Sequence, residues 1–125
     1  MSITAEQLRT AIPKKRESVE VPEFGEGATV WVYALTAGEM NAINASMMDK
    51  RWEGIDKDKA KLRTEKIVCC AVRDDDGNRL LTDADAGLVG EWPLDLFDRI
   101  WDVANVLNGG LGKNAKKNLD ATDDE

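Results

Sequence analysis

Two cysteines stand side by side, Cys69 and Cys70, in a chain that has no histidine. Ser-His-Asp and Cys-His nucleophile systems are therefore excluded. Histidine-ligated zinc is excluded as well, and adjacent cysteines do not have zinc-site spacing. A disulfide between neighbours is disfavoured, because bridged Cα atoms usually lie further apart than one peptide spans. Both thiols fall in the apolar run Ile67-Val68-Cys69-Cys70-Ala71-Val72. That run reads as core, with two small residues kept reduced.

The acidic string Asp74-Asp75-Asp76-Gly77-Asn78-Arg79 invites a calcium reading. In an EF-hand loop glycine is the sixth position. Setting Gly77 there makes Asp74 third and Asp76 fifth, but leaves Val72 first and Asp83 twelfth. Valine supplies no carboxylate, so a plain turn is the better reading. No metal or other cofactor is expected, and no catalytic residue. The residues left over suit contact rather than reaction. Met40, Met47 and Met48 carry adaptable thioethers. Helical spacing sends Met40 and Met47 to a core stripe, whereas Met48 points elsewhere and is the candidate for partner binding. Trp52, in the charged setting Lys50-Arg51-Trp52-Glu53, is the second candidate, either a contact anchor or a ring covering the core edge. Trp31 and Trp101 read as core. Lys14-Lys15-Arg16 is short and reads as a solvated loop.

The elements that would hold these residues follow from local signals. Thr4 and Gln7 make a capping box for a helix over 3–12, with Ile3, Leu8 and Ile12 on one side and Pro13 as its stop. Ser18-Val19-Glu20-Val21-Pro22 and Thr29-Val30-Trp31-Val32-Tyr33-Ala34-Leu35 read as two strands of a hairpin around Phe24-Gly25-Glu26-Gly27. Thr36 and Glu39 form a second capping box, opening a helix to about Arg51. The spacing predicts another helix over 57–73, charged first and apolar later, with a strand as the competing reading of its short apolar end. Thr82 caps a short helix. Pro93 suits the first position of a last long helix, which Asn108-Gly109-Gly110 ends.

These elements make an α+β fold, a short antiparallel β-hairpin packed with four or five helices in a single domain. The 125 residues allow one modest core, and 42% hydrophobic with 33% charged residues fits a globular chain. Residues 1–111 form that domain. Residues 112–125 are polar, end Asp123-Asp124-Glu125 and are expected to be a disordered acidic tail. A net charge of −7 disfavours nucleic acid and anionic membranes as partners. No apolar run approaches the roughly 20 residues of a membrane span. The start, Met1-Ser2-Ile3-Thr4-Ala5-Glu6, lacks a signal-peptide pattern, so a cytosolic location is expected.

In their order, four segments resemble the tail assembly chaperone family of long-tailed bacteriophages and prophages, across about 17–110. They are Val19-Glu20-Val21-Pro22-Glu23-Phe24-Gly25; Val30 to Glu39, a strand running into a capped helix; Val72 to Asp85, an acidic Asp-Gly turn followed by an apolar pair and a Thr-Asp-x-Asp cap; and Leu96-Phe97-Asp98-Arg99-Ile100-Trp101 leading to Leu107-Asn108-Gly109. Leu81 stands where many relatives carry phenylalanine, and Trp92-Pro93 is a stronger break than usual.

The resemblance implies a protein that is not an enzyme. It would bind the tape measure protein in the bacterial host's cytoplasm, keep that long helical chain soluble while the tail tube assembles, and then leave. The tail tube protein and a frameshifted longer form of the chain itself are further partners it implies, and a weak homo-oligomer stays open. Lys116-Lys117-Asn118 is encodable by a slippery run of adenines, as is Gly112-Lys113 in part. One rival is a structural tail or head–tail connector subunit retained in the virion. Another is an acidic inhibitor that mimics DNA.

Overall fold

Thr4 accepts the Gln7 N–H and its own N–H donates to the Gln7 side chain, so the capping box starts α1 (Ala5–Arg9) as expected. The helix stops at Arg9 rather than near Ile12, because Thr10 turns extended and the short helix buries no residue among the described residues that would prolong it. The structure, a computed structural model, describes residues 2–48, 54 and 62–110. β1 (Arg16–Glu20) and β2 (Thr29–Tyr33) pair antiparallel, with Val19 opposite Val30 and Ser18 opposite Trp31. Alternation therefore sends the valines to one face of the sheet and Trp31 to the other. Pro22 ends the first strand and opens a 3-10 turn, Pro22–Phe24.

α2 (Ala37–Ser46) begins with the Thr36–Glu39 capping box. Met47 and Met48 close it with N–H bonds to carbonyls three residues back, so the turn tightens before the expected end at Arg51. α3 (Arg63–Ala71) has the buried run Ile67 to Ala71 in its second half; the expected start at 57 lies outside the described residues. The helix does not reach Arg73. Val72 turns extended, and with Arg73 it forms β3 (Val72–Arg73), antiparallel to β2. A hairpin was expected; the result is a three-stranded sheet in the order β1-β2-β3. The exposed edge of β2, with open backbone groups to satisfy, outcompetes one more turn of helix at a β-branched residue.

Asp74 to Asn78 turn the chain, and Gly77 takes φ 85°, which a side chain rarely adopts. A Cβ there would also meet the Tyr33 hydroxyl at 3.3 Å. A 3-10 turn, Asp83–Asp85, leads into α4 (Ala86–Val89). α5 (Leu94–Leu107) follows. Pro93 is its extended N-cap rather than its first helical residue, and its carbonyl accepts the Phe97 N–H. Gly109 and Gly110 end it with positive φ.

The core lies between one face of the sheet and α5, with α3 running through it. Val19, Val32 and Val72 meet Val68 and Cys69 of α3, Val89 of α4, and Leu96, Ile100 and Ala104 of α5. A second cluster joins Ile43 of α2 to Ile67 and Cys70, with Met40 and Trp101 against it. Met47 is buried and Met40 half-buried, as their spacing predicts. The fold is α+β, and the region 112–125 lies outside the described residues.

Candidate functional site

Leu80 and Leu81 cannot both enter a core from the end of a tight turn, because extended neighbours point opposite ways. Leu81 is half-buried and Leu80 is exposed. Leu80 is one wall of an apolar groove of about 250 Å³. Its floor is Val30, Val72 and Ile100, and its rim is Phe24, Leu80, Leu88 and Trp92. Phe24 is 61% exposed and Leu88 59%. The Phe24 ring stands edge-on to Trp92 with centroids 5.8 Å apart, a favoured aromatic geometry that holds one corner of the rim in place. Leu94, also exposed, continues the apolar surface beyond Trp92. An exposed apolar surface of this kind suits contact with a partner.

The charged groups beside the groove are arranged in a particular way. Arg99 forms a fork to both carboxylate oxygens of Glu23 at 2.9 Å and also donates to the Glu20 carbonyl. That fork holds the Glu23 carboxyl below the usual carboxylate range. It also pins the 3-10 turn carrying Phe24 onto α5. Arg79 pairs with Asp83 at 3.2 Å. Both of these arginines are engaged, and Glu91, next to Trp92 in the chain, is exposed.

The outer face of the sheet is built differently. The Arg16 guanidinium lies 3.9 Å above the Trp31 ring and donates to the Tyr33 hydroxyl and the Asp75 carbonyl. Trp31 Nε1 donates to the Asp75 carboxylate. Trp31 was expected in the core, but the strand register places it here, half-buried under an arginine. Arg73, only 5% exposed, donates to the Cys70 carbonyl at 2.9 Å and to Glu39. Burial pushes the Glu39 carboxyl up, but the Thr36 N–H, Arg73 and Lys14 outweigh it and hold the group down at about 2.

Of the two residues the sequence singles out for partner contact, Met48 is half-buried just beyond α2 and does not line the groove. Trp52 lies outside the described residues. The groove residues Phe24, Leu80, Leu88 and Trp92 were missed as a group. The signal for them was weak, since four apolar residues scattered over the chain converge only through the fold. Burial pushes both cysteine thiols up, Cys69 to about 11, and the nearby Asp85 adds to it. They are unreactive core residues at neutral pH. Asp74 Oδ1 accepts the N–H groups of Asp76 and Asn78, so that carboxylate serves the turn. Among the described residues no cluster of three His, Cys, Asp or Glu could hold a metal ion, and no helix is long and apolar enough to cross a membrane. No protein-family model matches the chain, and no curated protein or solved structure matches it either.

Proposed function

We propose that this protein is a tail assembly chaperone, a binding protein rather than an enzyme. It holds apolar helical segments of the tape measure protein soluble in the bacterial host's cytoplasm while tail tube subunits assemble. The supporting observation is the open groove of Phe24, Leu80, Leu88 and Trp92 on an acidic chain. Helix-in-groove recognition uses such a surface, with apolar anchors of one helix face seated between side chains that already stand apart. Burying one leucine-sized side chain is worth about 2 kcal/mol, so a few anchors give a hold firm enough to prevent aggregation and weak enough to release. The negative charge keeps the loaded complex dispersed. The resemblance of the four sequence segments to this chaperone family supplies the identity of the partner.

Co-expression tests it. The wild-type chain raises the soluble yield of the cognate tape measure protein, and a Leu80→Glu, Leu88→Glu chain does not. Equal insolubility with and without the wild-type chain overturns the reading. Recovery of the chain at stoichiometric level in purified virions favours a retained structural subunit instead.

A further inference from the structure

Gly90 closes α4 with φ −63° and ψ −18°, a right-handed helical conformation open to any residue. The backbone there does not call for glycine, and what the missing side chain does is leave space. A Cβ at this position would lie 3.8 Å from Glu65 Cγ and 3.4 Å from the Gly87 carbonyl oxygen, both ordinary contacts. The space belongs to a hollow of about 350 Å³ on the far side of Trp92, lined by Glu65, Val89, Gly90, Trp92, Leu94 and Phe97. Ligand pockets run from about 300 to 1,000 Å³, so this one suits a single side chain or a small molecule.

The hollow differs from the apolar groove in one wall. Glu65, half-buried, brings a carboxylate among aromatic and aliphatic groups. Thr64 donates to one of its oxygens at 3.1 Å, and among the described residues no cation pairs with it. Lys66, the next residue, reaches Ser46 instead, and Arg99 is held by Glu23. Each aromatic wall is steadied by a second ring. Trp92 meets Phe24 edge-on, and Phe97 stacks on Trp101 with planes 10° apart. Rings fixed before a guest arrives lower the ordering cost of binding it.

We propose that this hollow seats an arginine side chain of the protein partner. The aliphatic stem lies along Val89 and Leu94, and the guanidinium lies against the rings beside the Glu65 carboxylate. A planar, weakly hydrated cation suits aromatic walls better than an ammonium does, and its fork matches a carboxylate. Trp92 is a wall of the groove as well, so a segment seated in the groove has the hollow one ring away. Assigning the arginine to that segment rests on the tape measure reading; the affinity of the hollow for arginine does not. The partner then carries a recognisable pattern, apolar anchors with an arginine beside them on the same helix face.

NMR titration of the full chain with acetyl-arginine methylamide tests the site directly. Saturable shifts at the Glu65 and Gly90 amides and the Trp92 indole N–H are expected in the low millimolar range. Acetyl-citrulline methylamide, nearly the same shape without the charge, gives none. An acid in the first turn of α3 also favours the helix dipole, so two variants separate binding from that structural role. Glu65→Gln removes the charge, and Gly90→Leu fills the hollow with the carboxylate in place. Each weakens arginine binding about tenfold. Thermal melting shows that each is folded, with Gly90→Ala as the milder filling. In co-expression, Glu65→Gln lowers the soluble yield of the tape measure protein. The two readings fail separately. A wild-type chain that does not raise that yield sinks the chaperone reading, whereas no saturable shift by about 100 mM arginine probe sinks this one. Equal shifts with citrulline, shifts of the same size at Asp74 to Asp76, or binding unchanged in Gly90→Leu overturn it too. So does binding that emerges only in Lys61→Met, because Lys61, four residues before Glu65 and outside the described residues, is then the cation Glu65 holds.

Discussion

The two faces of one small sheet solve opposite problems. On the outer face, Trp31 and Tyr33 lie under Arg16 and Arg73, and those cations run on to Asp75, Glu39 and the Cys70 carbonyl. Every aromatic there has a charged lid, and each lid has a polar partner. On the inner face, past the valine core, Phe24, Leu80 and Leu88 are exposed, with no lid among the described residues. The first face is closed by paired charge. The second is left uncommitted at a cost in exposed apolar area. A chain that needed only to fold would gain by placing polar residues on that rim, so the difference marks where stability ends and contact begins.

Breaking the outer lattice has the largest expected effect on stability. Arg73→Met fills the volume but removes the bonds to Cys70 and Glu39, and it leaves a carboxylate without its buried cation. The expected loss is about 2 to 3 kcal/mol, toward the lower side because Lys14 and the Thr36 N–H still hold Glu39. It is read as a lower urea midpoint at unchanged slope. Arg73→Lys recovers only part, since an ammonium lacks the planar fork that spans two acceptors. A midpoint unmoved by Arg73→Met breaks the comparison.

Acid sharpens it more gently. The Glu39 carboxyl sits at about 2 in the folded chain against an ordinary 4.5. A depressed folded value means that the carboxylate stabilises the fold above the ordinary value, and that this contribution is lost as pH falls from 4.5 toward 2. Urea midpoints of the wild type should therefore drop across that window. Glu39→Gln starts lower at neutral pH and drops less across the same window. Parallel curves for the two chains would show that Glu39 does not join the lattice.

Some of this was legible in the sequence. The capping boxes at Thr4 and Thr36, the turn at Gly77 and the stop at Gly109 depend on neighbours within a few residues, so local chemistry shows them. The hairpin register follows from alternating valines. β3 was hidden because Val72 and Arg73 continue a helical run, and only the open edge of β2, forty residues away in sequence by order of magnitude, draws them into the sheet. Trp31 was misplaced for a related reason. Alternation states that Trp31 opposes Val30 and Val32, but not which face receives the helices. The groove was the least legible. Leu80, Leu88 and Phe24 each look like ordinary core residues in a string of letters, and no local rule says that the fold runs out of interior before it reaches them.

The smallest stability effect belongs to the rim, and it carries the most information about function. Leu88→Ser removes an apolar side chain that is already 59% exposed in the folded state. Full burial of a leucine is worth about 2 kcal/mol, so the fraction buried here is worth about 0.8 kcal/mol. The α4 site is a surface turn where serine costs little beyond a few tenths in helix propensity. The urea midpoint should therefore shift by about 1 kcal/mol equivalent, less than for Arg73→Met. Partner holding should fall more than stability does. In the free chain Leu88 is half in water, whereas any occupant of the groove removes the rest of its surface from water, so truncation forfeits the larger share of its burial only when the groove is filled. That asymmetry is the signature of a contact residue, and a core residue shows the reverse. If Leu88→Ser destabilises the chain as much as Arg73→Met, the rim is part of the core. If it leaves both stability and partner solubility unchanged, the open face has no role in contact, and the contrast between the two faces loses its functional meaning.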